Sequence, residues 1–396
     1  MCNVNMGRVC SAIKSIIRRE TEIFSHSQLL LFVMLIVPVG CILFFTTLMQ
    51  DGLPTKLPAG IIDEDDTHIT RIVCRIIGSM EETDLSHRYE NFSEARKAMQ
   101  RGEIFGFFYI PNRLTEDAIA NRQPKISFYT NESYLVPGTL LMKDLRYCSE
   151  LAGLALTREN LYAKGLTEDE AMAVLQPIVI ETHPLKNPHL NYSVYLNNML
   201  VPGILILLVM LCTTYTLGME WKMDRQKELY KLSGCSPTVA IIGKLLPQTL
   251  MFLLIFIFMD ICFYRICSFP CNTGLLPMIT LSLVTILGAQ GFGVFLFGLF
   301  IGKMRLSMCL CSLWGILSFS VAGFTYPVTA MDIPLQIISC LFPLRHYFLI
   351  YVNQALNGYS IWYVWSSVVA MLTFILLPCT VMHRYRAAFL KYKYVQ

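Results

Sequence analysis

The sequence predicts an α-helical polytopic membrane protein: six transmembrane helices, with an extracytoplasmic α/β domain inserted between the first and second spans. Three observations predict it. Of 396 residues, 54% are hydrophobic and only 15% are charged, against about 25% charged in an ordinary soluble domain. Six apolar stretches, 28–49, 197–218, 240–264, 275–301, 306–327 and 360–382, have the length of roughly 20 residues that a helix needs to cross a bilayer core. Charged residues are plentiful over 51–190, a segment long enough to build its own core.

Residues 1–27 are basic. Val9, Ile13, Ile16, Ile17 and Phe24 share one helical face, and Lys14, Arg18 and Arg19 are placed for lipid headgroups. Two readings stand: an amphipathic helix on the inner leaflet, or a basic flank that only fixes topology. The apolar run at 28–49 is too long for a signal-peptide core and lacks a small-x-small cleavage site, so it reads as an uncleaved anchor.

Residues 50–196 alternate strand-like and helix-like pieces. AGIID (59–63), IFGFFYIP (104–111) and KISFYTN (125–131) read as strands. Ile69, Ile72, Val73, Ile76 and Ile77 recur at helical spacing. FSEARKAMQRGE (92–103) reads as a helix with Ser93 as N-cap, 136–164 as a long helix, and PIVIETHPL leads back to the membrane. Asn91, Asn131 and Asn191 each open an Asn-x-Ser triplet, a pattern that also arises by chance. Cys74 and Cys148 leave one disulfide possible here. The five later spans occupy 197–382, and 383–396 is a basic tail.

Orientation follows the short basic flanks. Arg8, Lys14, Arg18 and Arg19 precede the first span; Lys222, Arg225, Lys227 and Lys231 separate the second and third; Lys303 and Arg305 separate the fourth and fifth; Arg384, Arg386, Lys391 and Lys393 follow the sixth. The alternate connections hold only Arg265 and Arg345. Both termini are therefore expected in the cytoplasm and residues 50–196 outside.

The chemistry of the chain is mostly exclusion. There is no nucleophile elbow, no H-E-x-x-H and no phosphate-binding loop, so no catalytic and no metal residues are assigned. The net charge of +4 is spread along the chain, which does not suggest nucleic acid. GAQGFG (288–293), with Gly298 and Gly302 beyond it, reads as small residues allowing close helix packing. Asp260 and Gln290 are the polar points on a possible substrate path; the plainer reading pairs Asp260 with Arg265 at the interface and lets Lys244 snorkel to water. No chain of buried acids or histidines runs through the spans, which argues against proton coupling. A bundle without an energy source of its own directs attention to a partner.

The stretch EWKMDRQKELYKLSGCSPTVAIIGKLLPQ (220–248) places seven charges in the twelve residues 220–231. It is expected to form a helix over 220–233, with Glu220, Asp224, Lys227, Glu228 and Lys231 on one side, Gly234 at its end, Ser236 as the next N-cap and Pro237 as the next first residue. One reading is a solvated positive loop. The other is a docking helix that passes movement from a cytoplasmic partner into the spans.

This stretch resembles the coupling region of permease subunits of ATP-binding cassette (ABC) transporters of the type-2 exporter class. Glu220, Lys222 and Glu228 fall at the charged positions and Gly243-Lys244-Leu245-Leu246-Pro247 stands intact, while Arg225-Gln226 replace the usual Gly-Thr. LFPLRHYFLIYVNQALNG (341–358) is similar to the signature before the last span, through Pro343, His346 and Tyr347. The plan, with a large outer domain after the first span, resembles the multidrug-efflux branch. The resemblance implies a non-catalytic permease, in the inner membrane, working with cytoplasmic ATP-binding subunits that carry the ATP and Mg, and with a second permease chain. It also implies a periplasmic adaptor in double-membrane bacteria, and drug-like or amphipathic substrates. Glu220, Lys222, Asp224, Arg225, Glu228, Gly234 and Pro237 would then couple to the ATPase. The alternatives are a non-transporting receptor or scaffold with a ligand-binding outer domain, and a membrane-embedded enzyme.

Overall fold

A chain whose apolar segments each fill one helix folds into spans, and the intervening polar segment folds by itself. The computed structural model describes residues 6–120, 122, 125–176, 183, 186–187 and 191–391. The return segment PIVIETHPL, apart from His183, and the last five residues of the basic tail lie outside them. The chain divides into two compact units, Met1–Gly52 with Pro184–Gln396, and Leu53–His183.

The second unit is an α/β layer. Its elements are β1 (Leu57–Asp63), α3 (His68–Gly78), β2 (Thr83–Arg88), α4 (Phe92–Arg101), β3 (Gly106–Ile110), α5 (Leu114–Ile119), β4 (Ser127–Thr130), α6 (Leu135–Ala163) and α7 (Glu168–Leu175). The sheet order is β2-β1-β3-β4, with β1 parallel to both neighbours and β4 antiparallel to β3. Helices cover both faces of the sheet, so β1 and β3 read as continuous apolar runs. Ile61, Phe108 and Ile110 face Ile77 and Leu141, while Ile62 and Phe107 face Ala95 and Ala98. The sequence reading passed over β2, because TDLSHR is polar: it is an edge strand whose outer residues are exposed.

Two of the three Asn-x-Ser asparagines cap helices, and the third closes a turn. Asn91, not Ser93, caps α4 by accepting from the Glu94 N–H at 2.9 Å. Asn131 accepts from the Ser133 N–H, and Asn191 accepts from those of Ser193 and Val194. Cys74 and Cys148 are both buried free thiols.

Two buried carboxyls meet where β2 joins α6. Thr83 donates to Asp144 at 2.9 Å and Lys143 donates to Glu82 at 2.8 Å. Burial, and then the neighbouring Glu82, push Asp144 up to about 6. Burial also disfavours the Glu82 carboxylate, but bonds from Asp144 and Lys143 hold it below its ordinary value. A raised folded-state value means the folded protein binds the extra proton, so the contribution of Asp144 is present at acid pH and is lost as pH rises through about 6. Asp144→Asn is therefore expected to raise the melting temperature of the full chain at pH 7.5, and to leave it unchanged near pH 4. An equal effect at both pH values would contradict this.

The first unit holds an N-terminal helix and the spans. They are α1 (Met6–His26), α2 (Gln28–Leu48), α8 (Tyr192–Lys222), α9 (Gln226–Leu232), α10 (Pro237–Ile266), α11 (Leu275–Leu299), α12 (Met304–Val321), α13 (Ile333–Ser339), α14 (Pro343–Asn357) and α15 (Ile361–Leu390). Six of these are long and apolar enough to cross a membrane, and α13 with α14 forms a pair bent by 85°. Residues 341–358 fall between the fifth and sixth apolar stretches, where the basic flanks predict an outer connection. The segment is instead a helix seated in the bundle, with Leu344, Tyr347, Ile350 and Tyr351 buried.

The centre is α8 and α11, 67% buried over their apolar windows, against 22% for α2 and α15. Glycines set that centre. A Cβ at Gly291 would collide with the Phe374 carbonyl of α15, and one at Gly293 would stand 3.2 Å from the Met210 carbonyl of α8. Gly298 packs on Val381 and Tyr385. Gly302 does not extend that stripe: it lies beyond the end of α11, in a turn at φ +86°.

Candidate functional site

The charged stretch is built from two helices, not one. α8 runs through Glu220 to Lys222 and then ends in a Schellman motif. Asp224 takes the left-handed conformation at φ +55°, and the Arg225 N–H bonds the Glu220 carbonyl at 2.9 Å. A short Asp side chain tolerates this backbone, which is why a helix reading continued across it. α9 ends the same way at Gly234 (φ +65°), where the Cys235 N–H bonds the Tyr230 carbonyl at 2.9 Å. Arg225 stands just before α9, and Gln226 opens it, buried, donating to Asp224 at 2.8 Å. Ser236 holds the N-cap position of α10 but makes no side-chain cap bond, and Pro237 is the first residue.

α9 is fastened to the bundle by its apolar side. Leu229 and Tyr230 are buried, and Tyr230 stacks on Phe389 of α15 at 5.2 Å. Trp221 of α8 packs on Phe389, Phe297 and Tyr385. The opposite side of the connection is exposed at Lys222, Asp224, Arg225, Lys227, Glu228 and Lys231.

Beneath it lies a closed ring of four charges. Glu220 accepts from Arg19 at 3.0 Å and 3.2 Å, and from Lys244 at 2.8 Å. Glu20 accepts from Arg19 at 2.6 Å and from Lys244 at 2.7 Å. Two cations and two carboxylates thus cancel, and each carboxylate is bonded by both cations. Glu20, Glu220 and Lys244 are all at most 3% exposed. Glu228 approaches the Arg19 Nε at 3.8 Å on the exposed edge. Burial acts to lower the Arg19 guanidinium, but the Glu220 bond and the charges of Glu220, Glu20 and Glu228 hold it above its ordinary value.

This ring overturns two expectations. Lys244 does not snorkel, because Glu20 and Glu220 meet it inside. Arg19 does not sit at headgroups; α1 turns its Ile16 and Arg19 side onto α10 and α8. Gly243 permits the approach, since a Cβ there would stand 3.1 Å from Ile16. Glu20 was missed in the sequence, where it is one acid in RRETE with no feature to single it out.

The remaining candidates lie apart from the ring. Asp260 is sixteen residues beyond Lys244 on α10, about 24 Å along the helix. It is 2% exposed and lies 3.5 Å from the Ser282 hydroxyl of α11, whereas Arg265 is exposed, so the expected interfacial pair does not form. Gln290 accepts from Thr249 at 2.8 Å, and its Nε2 is buried without a partner. Asp260 and Gln290 therefore do not form one site. Pro247 lies within α10, where Gln248 donates to Thr213 at 3.0 Å. In α14, Pro343 is the first residue, His346 Nε2 meets the Cys340 carbonyl at 2.8 Å across the bend, and Tyr347 stacks on Tyr351. Among the described residues no group of three or more His, Cys, Asp or Glu is placed to hold a metal ion.

Fold and site together define a polytopic helical membrane protein whose charged connection is locked to its spans by a buried ionic ring. A family model described as "ABC-2 family transporter protein" matches residues 29–381. That is most of the chain, and the chain belongs to this family of membrane transporter proteins. No curated protein matches it.

Proposed function

We propose that this chain is the permease subunit of an ATP-driven exporter in the inner membrane, with both termini in the cytoplasm and a drug-like or amphipathic substrate. ATP hydrolysis is assigned to separate cytoplasmic subunits, a second permease chain completes the pathway, and the outer unit faces a periplasmic adaptor. The observation that carries this reading is the ionic ring, because it ties α1, the end of α8 and the start of α10 into one block next to α9. Lys222, Asp224, Lys227 and Lys231 offer the exposed face on which an ATPase would push. Glu228 and Arg225 flank that face, Gly234 and Pro237 set the corner that follows, and the aromatic contact of Tyr230 with Phe389 carries the push to α15.

The test is co-purification in mild detergent. An ATPase subunit is expected in stoichiometric amount with the native chain. Lys227→Glu with Lys231→Glu is expected to lose it while the melting temperature is kept, because both side chains are exposed on α9. Recovery of a stable chain that never brings down an ATPase would favour the receptor reading instead.

A further inference from the structure

A cavity of about 740 Å³ opens beside the ring, between the second half of α1 and the end of α8. Its size is in the range of small-molecule sites. Its floor is the ring itself, in which Arg19, Glu20, Glu220 and Lys244 already neutralise one another, so it offers a ligand no net charge. Two charges stand exposed at the rim three residues apart, Arg225 and Glu228; Glu228 lies 3.8 Å from the Arg19 Nε, but Arg19 is already bonded to Glu20 and Glu220, which leaves the Glu228 carboxylate open to a ligand. The Glu22 carboxylate, also on the lining, is engaged by Arg18 at 3.4 Å. Ile23, Phe24, Met219 and Met223 make the walls apolar.

A second cavity of about 220 Å³ adjoins the first through Leu30, which lines both. It exposes no polar surface and is walled by Leu29 and Val33 of α2, Leu211 and Tyr215 of α8, and Met308 of α12. These are span residues, so this slot lies in the apolar layer. Leu29 is 54% exposed, which leaves the outer wall thin toward the surrounding lipid.

We propose that chamber and slot form one binding site for a zwitterionic phospholipid from the adjoining leaflet. The phosphate pairs with Arg225, the ammonium with Glu228, and one acyl chain fills the slot past Leu30. The rim matches a headgroup carrying both signs: an anionic head would face Glu228 uncompensated, and a purely cationic one would face Arg225. The chain then finds only carbon and sulfur around it, apart from the Tyr215 hydroxyl, an environment as apolar as the leaflet it leaves, so the slot accepts the chain and the head carries the selectivity. The site requires neither an ATPase nor a particular orientation of the chain, and stands apart from the function proposed above.

Native mass spectrometry of the full chain in detergent tests this, with phosphatidylethanolamine and phosphatidylglycerol of identical acyl chains as probes. One bound phosphatidylethanolamine is expected, held about three- to fivefold more tightly than phosphatidylglycerol, as the loss of one exposed ion pair implies. Arg225→Ala and Glu228→Ala are each expected to weaken it by about the same factor. Leu29→Trp, across the mouth of the slot, is expected to abolish it, whereas Leu317→Trp on the exposed face of α12 leaves it unchanged. Melting temperature and elution volume monitor folding of every variant. Equal binding of the two lipids, or binding indifferent to Arg225, Glu228 and Leu29, overturns the proposal. So does tighter binding of dodecyltrimethylammonium at the same residues, which would make the site one for cationic amphiphiles.

Discussion

Lys244→Met is expected to destabilise the full chain by about 3–5 kcal/mol, the range for removing one partner of a buried ion pair. The side chain is 2% exposed and bonds two carboxylates, at 2.7 Å and 2.8 Å. Without it, Glu20 and Glu220 face each other with only Arg19 between them. Thermal unfolding in detergent is the measurement, with proteolysis of α1 as a local readout of whether the helix has come away. Adding Glu20→Leu to the same chain restores one cation to one carboxylate, so the double variant is expected to recover most of the loss. A single variant as stable as the native chain would show that the ring does not hold α1. A double variant no better than the single would assign the loss to packing instead of charge.

Gly291→Leu is expected to prevent the bundle from closing. Its Cβ would collide with the Phe374 carbonyl oxygen of α15, a backbone atom that cannot move aside as a side chain end would. Overpacking of a core commonly costs about 1–3 kcal/mol. Here α11 and α15 must separate, so the expected result is an aggregated or degraded chain in place of a folded peak on size exclusion. Gly288→Ala is the control. Its added Cβ would lie 3.6 Å from Met371 and Phe374, ordinary contact, and the protein is expected to fold. If Gly291→Leu elutes and melts like the native chain, the glycine does not set the helix approach.

The spans were legible because each needs only local information: length and an unbroken apolar run. Strands β1, β3 and β4 of the inserted unit were legible from their apolar runs. β2 was not, since an edge strand is specified by its neighbour's open backbone more than by its own side chains. The charged stretch at 220–233 was legible as a special place through composition, yet its geometry was not. A single Asp in the left-handed region divides it into two helices, and helix periodicity cannot register one residue's φ.

The role of the flanking charges shows the limit most clearly. Arg19, Glu20, Glu220 and Lys244 form a ring in which bonded partners lie up to 224 positions apart. Read locally, Lys244 and Arg19 are cations near the end of a span, for which water and headgroups are the default partners. Only the fold brings two acids within bonding distance, and that changes the favourable place for both cations from the surface to the interior. The same holds for Asp260, whose nearest opposite charge in sequence, Arg265, is exposed while the acid is buried against Ser282.

What the sequence by itself determined is therefore the set of spans, the inserted α/β unit and the location of a charged corner, because apolar run length, alternation and capping residues act over a few positions. What the tertiary structure alone decided is which charges meet, where α1 lies against α8 and α10, and how closely α11 and α15 approach. Those depend on atoms brought together across the chain, where a bond to Glu20 or a missing Cβ at Gly291 outweighs every local preference.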